Sequence, residues 1–221
     1  MRRREFVTIS AGAIGATALY IITRESGPLK RKGDKVAVPL RFFTAREARL
    51  VSAACERIFP RDASGPGAAD AAVVIYIDRQ LAGPYGRDKY RYVKPPFRTS
   101  VAEHGYQGKR NPRQIYRAGI RDLDDFVELS VEAQIRKLKE IETSSFFQLL
   151  RSHTIEGMFC DPVHGGNAGL VGWALVGYPG PQWSFREDID RHYGKAWRPK
   201  VTTLQQMTGG RVPPLIENES E

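Results

Sequence analysis

The residues of this chain with the most chemistry in them sit close together near its C-terminal end: His153, Glu156, Cys160, Asp161 and His164. His153 and Glu156 are three apart, close enough on one helix to work as an acid/base pair, and also close enough simply to hydrogen-bond. Cys160, Asp161 and His164 are metal-ligand types, with His153 one or two helical turns earlier. A C-D-x-x-H run nevertheless matches no standard zinc spacing. A free-standing enzyme or metal protein built on His153, Glu156 and His164 is therefore the alternative reading, and a buried or surface hydrogen bond is the simpler one.

The glycines that follow invite a different chemistry. His164-Gly165-Gly166-Asn167-Ala168-Gly169 and Val171-Gly172-Trp173 through Tyr178-Pro179-Gly180 hold several glycines among aromatic residues. A dinucleotide loop needs G-x-G-x-x-G directly after a strand, whereas this run follows the helix-breaking Asp161-Pro162. No C-x-x-C-H is present for covalent haem, nor a cysteine set for an iron–sulfur cluster. Cys55 and Cys160 are the two cysteines of the chain. A disulfide between them is open in an oxidising compartment, and a buried thiol is an equal reading of Cys55.

These residues need a scaffold, and its pattern is helical. Thr44 and Glu47 form a capping-box pair before Val51, Ala54, Cys55 and Ile58 on one face, and the helix is expected to stop at Phe59-Pro60. A second helix is expected over Ala68 to Leu81, with VVIYI as a strand alternative. The stretch from Gly86 to Pro112, rich in Arg, Lys, Tyr and Pro, reads as a long surface loop. Asn111-Pro112, Ser130 and Thr143 to Ser145 each open a further helix, with Ile115, Ala118, Gly119, Leu123 and Phe126, then Ile135, Leu138 and Ile141, then Phe146, Leu149 and Leu150 inward. The fold class expected is mainly α, a single helical domain with long loops over residues 42–221.

Ahead of that domain the chain reads as an address. Arg3-Arg4-Glu5-Phe6 leads into the uncharged run Ile9 to Ile22, a basic start and a short Ala/Gly-rich apolar core. Paired arginines with Phe two positions on select twin-arginine export, a route for cargo already folded. Residues 1–26 are assigned to this signal, which also has the makings of a membrane attachment, and residues 27–41 to a basic linker. Ala16-Thr17-Ala18 resembles a cleavage site but lies inside the apolar run, so cleavage is left open.

The formal charge is +9, and only four arginines and two glutamates fall in the first 26 residues, so the basic character belongs mostly to the folded part. Export and the acidic residues interleaved through Arg121 to Glu142 argue for a solvated or partner-facing surface rather than nucleic-acid binding.

Four segments, Thr44 to Pro60, Gly67 to Gly86, Phe146 to Leu150 and Thr154 to Gly180, together resemble the gluconate 2-dehydrogenase subunit 3 family. Two departures stand out: His164 where an aromatic is common, and Ala168-Gly169-Leu170 in place of a more polar triplet. The resemblance implies the small subunit of a complex with an FAD-dependent dehydrogenase catalytic subunit and a multihaem c-type cytochrome. It implies that FAD and haem c belong to those partners and that this chain holds no cofactor. It further implies a non-catalytic escort carrying the flavoprotein through the twin-arginine translocase to the periplasm. Tyr85, Phe159, His164, Gly165, Gly166, Asn167, Trp173, Tyr178 and Trp183 are the contact residues expected, with Trp173 and Phe159 equally open to a core role.

Overall fold

The computed structural model describes residues 18–21, 36–92, 94–98, 101–197 and 199–209. Arg3, Arg4 and Phe6 lie outside these residues. Ala18–Ile21 (β1) pairs antiparallel with Val36–Pro39 (β2), so part of the segment read as linker is a short strand. The remaining regular structure is helical: Ala45–Ile58 (α1), Val73–Ala82 (α2), Pro112–Asp122 (α3), Val131–Glu140 (α4), Ser145–Phe159 (α5), Val171–Val176 (α6), Arg186–His192 (α7) and Leu204–Met207 (α8).

The helix starts follow from side chains that satisfy orphan N–H groups. Thr44 and Glu47 close the expected capping box on α1, Asn111 and Gln114 close another on α3 behind Pro112, and Ser130 and Ser144 cap α4 and α5.

α2 departs from expectation. It begins at Val73 rather than Ala68, because Ala72 takes a left-handed conformation (φ 53°). The preceding backbone is committed elsewhere: Ala68 N–H donates to Phe59 O, and Ala71 O accepts from Ala168 N–H. The β-branched cluster VVIYI is helical, not a strand.

α2 is the hub of the core. Val73, Val74, Ile75, Tyr76, Ile77, Asp78 and Leu81 are all buried, so it is covered on every side. Each such aliphatic side chain contributes about 1.5–3 kcal/mol on leaving water. α1 and α5 pack on it, and α5 comes close because Gly157 leaves room for Val73 and Tyr76. α3 meets α5 through Gly119, where the Phe146 ring fills the space a β-carbon would need. Ile120 and Tyr116 are buried on α3, whereas Ala118 is half-buried; Leu123 and Phe126 follow in the turn after the helix and are fully buried. On α4, Leu138 points inward and Ile135 is exposed; Gln134 takes the second inward place and donates to the carbonyls of Phe126 and Leu129.

Asp78 places a carboxylate inside this core, 1 % exposed. It accepts from three successive backbone N–H groups, Arg41 at 2.7 Å, Phe42 at 3.0 Å and Phe43 at 2.9 Å. The segment that leads into α1 is thereby tied to the hub helix, and a buried carboxylate meets its hydrogen bonds.

Candidate partner-binding site

His153, on the inward face of α5, is 2 % exposed and has tyrosine hydroxyls at both ring nitrogens. Tyr116 Oη lies 2.9 Å from Nδ1 and Tyr85 Oη 2.8 Å from Nε2. Burial pushes the imidazole down to about 4, so it is neutral at ordinary pH. A neutral ring has one N–H, and the surroundings choose which nitrogen carries it. Tyr116 is fully buried and His153 is its hydroxyl's partner, so that hydroxyl donates to Nδ1. The ring N–H therefore sits on Nε2 and donates to Tyr85, whose own O–H is free to face solvent.

Glu156 does not pair with His153. It lies on the exposed side of α5 and accepts from Tyr76 Oη at 2.7 Å. Burial, then the bond to this carboxylate, raises the Tyr76 hydroxyl well above its ordinary range. His164 is half-buried on a short turn, and no group of three metal-ligating side chains exists among the described residues. The acid/base and metal arrangement drawn on His153, Glu156 and His164 is not formed, since His153 is already saturated by tyrosines from other elements. What the cluster does is hold Tyr85 at the surface, 43 % exposed, with its hydroxyl fixed from behind.

The glycine-rich segment after α5 is a backbone knot. Asn167, in the left-handed region (φ 46°) and wholly buried, accepts from Gly172 N–H at 2.8 Å and donates to Cys160 O at 2.9 Å. Its own N–H donates to Gly157 O at 2.8 Å. Gly166 and Gly172 press against the carbonyls of Gly157 and Met158, where a β-carbon would clash. Gly165 takes φ 99°, a conformation glycine adopts without strain. Asp161 caps the turn at Val163 and also accepts from Leu204 N–H at 2.8 Å, which pins the C-terminal segment to the end of α5.

Several expected contact residues are therefore interior. Trp173 is 2 % exposed and its indole N–H donates to Phe159 O at 2.8 Å, so it is core rather than surface. Gly166 and Asn167 are buried in the knot, and Phe159 is half-buried edge-on to Phe59. No disulfide joins the cysteines: Cys55 is a buried thiol that accepts from Thr154 Oγ1, and Cys160 faces Gly157 O. Burial pushes Cys55 up to about 12 and Cys160 up to about 11, which leaves both unreactive.

Beyond the knot the surface becomes aromatic. Tyr178 stands edge-on against Trp173 and is exposed; Trp183 is 81 % and Tyr193 86 % exposed, with Phe185 and Ile189 also open to solvent. None of the residues of α7 is buried, and His192 stacks on Trp197 at 4.4 Å. Of the expected contacts, Tyr85, Tyr178 and Trp183 are on the surface. Phe185, Ile189, Tyr193 and Trp197 were missed by sequence reasoning; Ile189 lies on α7, Phe185 and Tyr193 flank it, and Trp197 follows in the loop. Tyr76 and Tyr116 were missed as partners of α5, and only their helical spacing on α2 and α3 hints at an inward position.

The fold that positions these residues is matched by one family model. Gluconate 2-dehydrogenase subunit 3 covers residues 45–180, from the first residue of α1 to the end of the knot. The chain belongs to this family. Among curated proteins and among solved structures no match was found. A subunit 3 of gluconate 2-dehydrogenase is one component of a multi-subunit enzyme, so partner subunits are implied. The buried tyrosine–histidine cluster and the Asn167 knot both fall inside the matched region, while Trp183 and α7 lie beyond it.

Proposed function

We propose that this chain is the non-catalytic small subunit of an exported FAD-dependent sugar or sugar-acid dehydrogenase complex of the gluconate type. It docks on the flavoprotein catalytic subunit, stabilises it, and carries it through the twin-arginine translocase to the periplasm. FAD belongs to the flavoprotein and haem c to a multihaem cytochrome in the same complex. The observation that carries the reading is the exposure of Tyr178, Trp183, Phe185, Ile189 and Tyr193, large apolar side chains on the segment that follows the knot.

Exposed Trp and Tyr are the side chains whose burial dominates association. A partner that binds only the folded flavoprotein raises its stability by mass action. The Asn167 knot serves this by fixing the root of the aromatic segment, and His153 serves it by fixing Tyr85.

The escort role is tested with Arg3→Lys and Arg4→Lys together, by fractionating cells and assaying the dehydrogenase activity of each compartment. The reading predicts that the flavoprotein stays in the cytoplasm with the variant. Undiminished export of the flavoprotein overturns it.

A further inference from the structure

A second surface is built from different residues. Arg113, Arg117 and Arg121 recur four residues apart along one face of α3 and, with Arg110 just ahead of the N-cap Asn111, line an open cleft of about 470 Å³ over the Phe42 ring. Two of the four are partly engaged. Arg113 donates to the last carbonyls of α2, Leu81 O at 2.5 Å and Ala82 O at 2.6 Å, and lies 5.5 Å from the Phe42 ring centre. Arg117 pairs with Glu47, donates to Phe42 O, and stacks on the same ring at 4.2 Å.

The charge is not balanced. Glu47 is already spent on Arg117, and Arg110 and Arg121 have no carboxylate partner among the described residues. Burial, and after it the crowding of Arg87 and Arg117, pushes Arg113 below its ordinary range. Guanidinium groups packed this way await anions.

Length decides what kind of anion. From Arg113 to Arg121 the axis of α3 runs roughly 12 Å at the rise of an α-helix, and Arg110 lies further out, ahead of the N-cap Asn111. One phosphate or one small carboxylate cannot touch both ends, whereas an extended peptide covers that distance in about four residues. A nucleic acid fits poorly, because Phe42 is the one aromatic lining the cleft and two guanidinium groups already lie over its ring, which offers no platform for successive bases. The apolar floor and arginine stems suit aliphatic side chains between the carboxylates.

We propose that the α3 cleft is a docking site for an acidic peptide segment of a partner protein, with carboxylates on Arg110 and Arg121 and an apolar side chain against the stems of Arg113 and Arg117. This does not depend on what covers the aromatic segment, so either idea can fail alone.

The test uses the full chain and a fluorescently labelled peptide of alternating glutamate and leucine, followed by anisotropy. The wild-type chain binds it, with an affinity that falls as salt rises. Arg110→Glu with Arg121→Glu weakens binding by at least about tenfold. Both residues are exposed, so circular dichroism of that variant is unchanged, and the milder Arg110→Gln with Arg121→Gln gives a smaller loss in the same direction. A matched reversal at the exposed Arg136 and Arg151 leaves binding within about twofold. The proposal is overturned by no binding, by equal binding of the glutamine–leucine peptide, or by equal losses in the two reversal variants. Displacement by inorganic phosphate or by oligothymidine at the peptide's own concentration overturns it as well.

Discussion

The rings of Tyr116 and His153 stack 5.6 Å apart at 13°, and the Tyr116 hydroxyl donates to Nδ1 at 2.9 Å. This joins α3 to α5 at the centre of the core and sets the tautomer that reaches Tyr85. In Tyr116→Phe, Nδ1 loses its donor and stays buried, which costs about 1–3 kcal/mol. Urea unfolding of the isolated chain measures it. A change within about 0.5 kcal/mol contradicts the assigned network.

His153 also gives a pH dependence of known sign. Its folded value is depressed to about 4 from the ordinary 6.5, so the unfolded chain binds the extra proton first. The contribution is complete above about pH 6.5, and falls away as pH drops toward 4, by roughly 3 kcal/mol in total. The unfolding free energy of wild type minus that of His153→Gln is expected to rise from pH 4 to 6.5 and then level off. A difference flat across that range rules the explanation out.

Asp78 holds three N–H groups of the segment Arg41 to Phe43, and Asp78→Ala leaves all three without an acceptor. The expected loss is at least about 3 kcal/mol, at one or more per orphaned group. The local consequence is faster tryptic cleavage at Arg41. Unchanged cleavage kinetics contradict the tie between that segment and the hub.

Two tryptophans separate core from interface. Trp173→Ala is expected to destabilise the isolated chain by about 3–5 kcal/mol, as for a fully buried ring. Trp183→Ala leaves that stability unchanged and weakens association with the partner by about 2 kcal/mol or more. Thermal unfolding of the chain and the dissociation constant of the complex read the two effects. Exchange of the two outcomes reverses the assignment.

What was legible in the sequence was local. Thr44 with Glu47, Asn111 with Pro112, and Ser130 and Ser144 announce helix starts, because a cap is satisfied within a few residues. The start of α2 was not legible, since Ala72 turns left-handed where Ala71 meets Ala168, a bond between residues nearly half the chain apart. The spacing of His153 and Glu156 pointed to a pair because it described one helix. Their partners, Tyr116, Tyr85 and Tyr76, come from other elements. The glycine-rich segment was singled out as a contact surface, whereas Gly166 and Gly172 serve close backbone approach at Gly157 and Met158, and Trp173 is the plug of that knot.

The most direct test is affinity purification of the tagged chain from its native host, with an absorption spectrum and mass identification of what accompanies it. An accessory subunit brings down a large flavoprotein with flavin absorption, and the Trp183→Ala variant brings down less of it. Recovery of the chain alone, without flavin and with Trp183 indifferent to the outcome, contradicts the account.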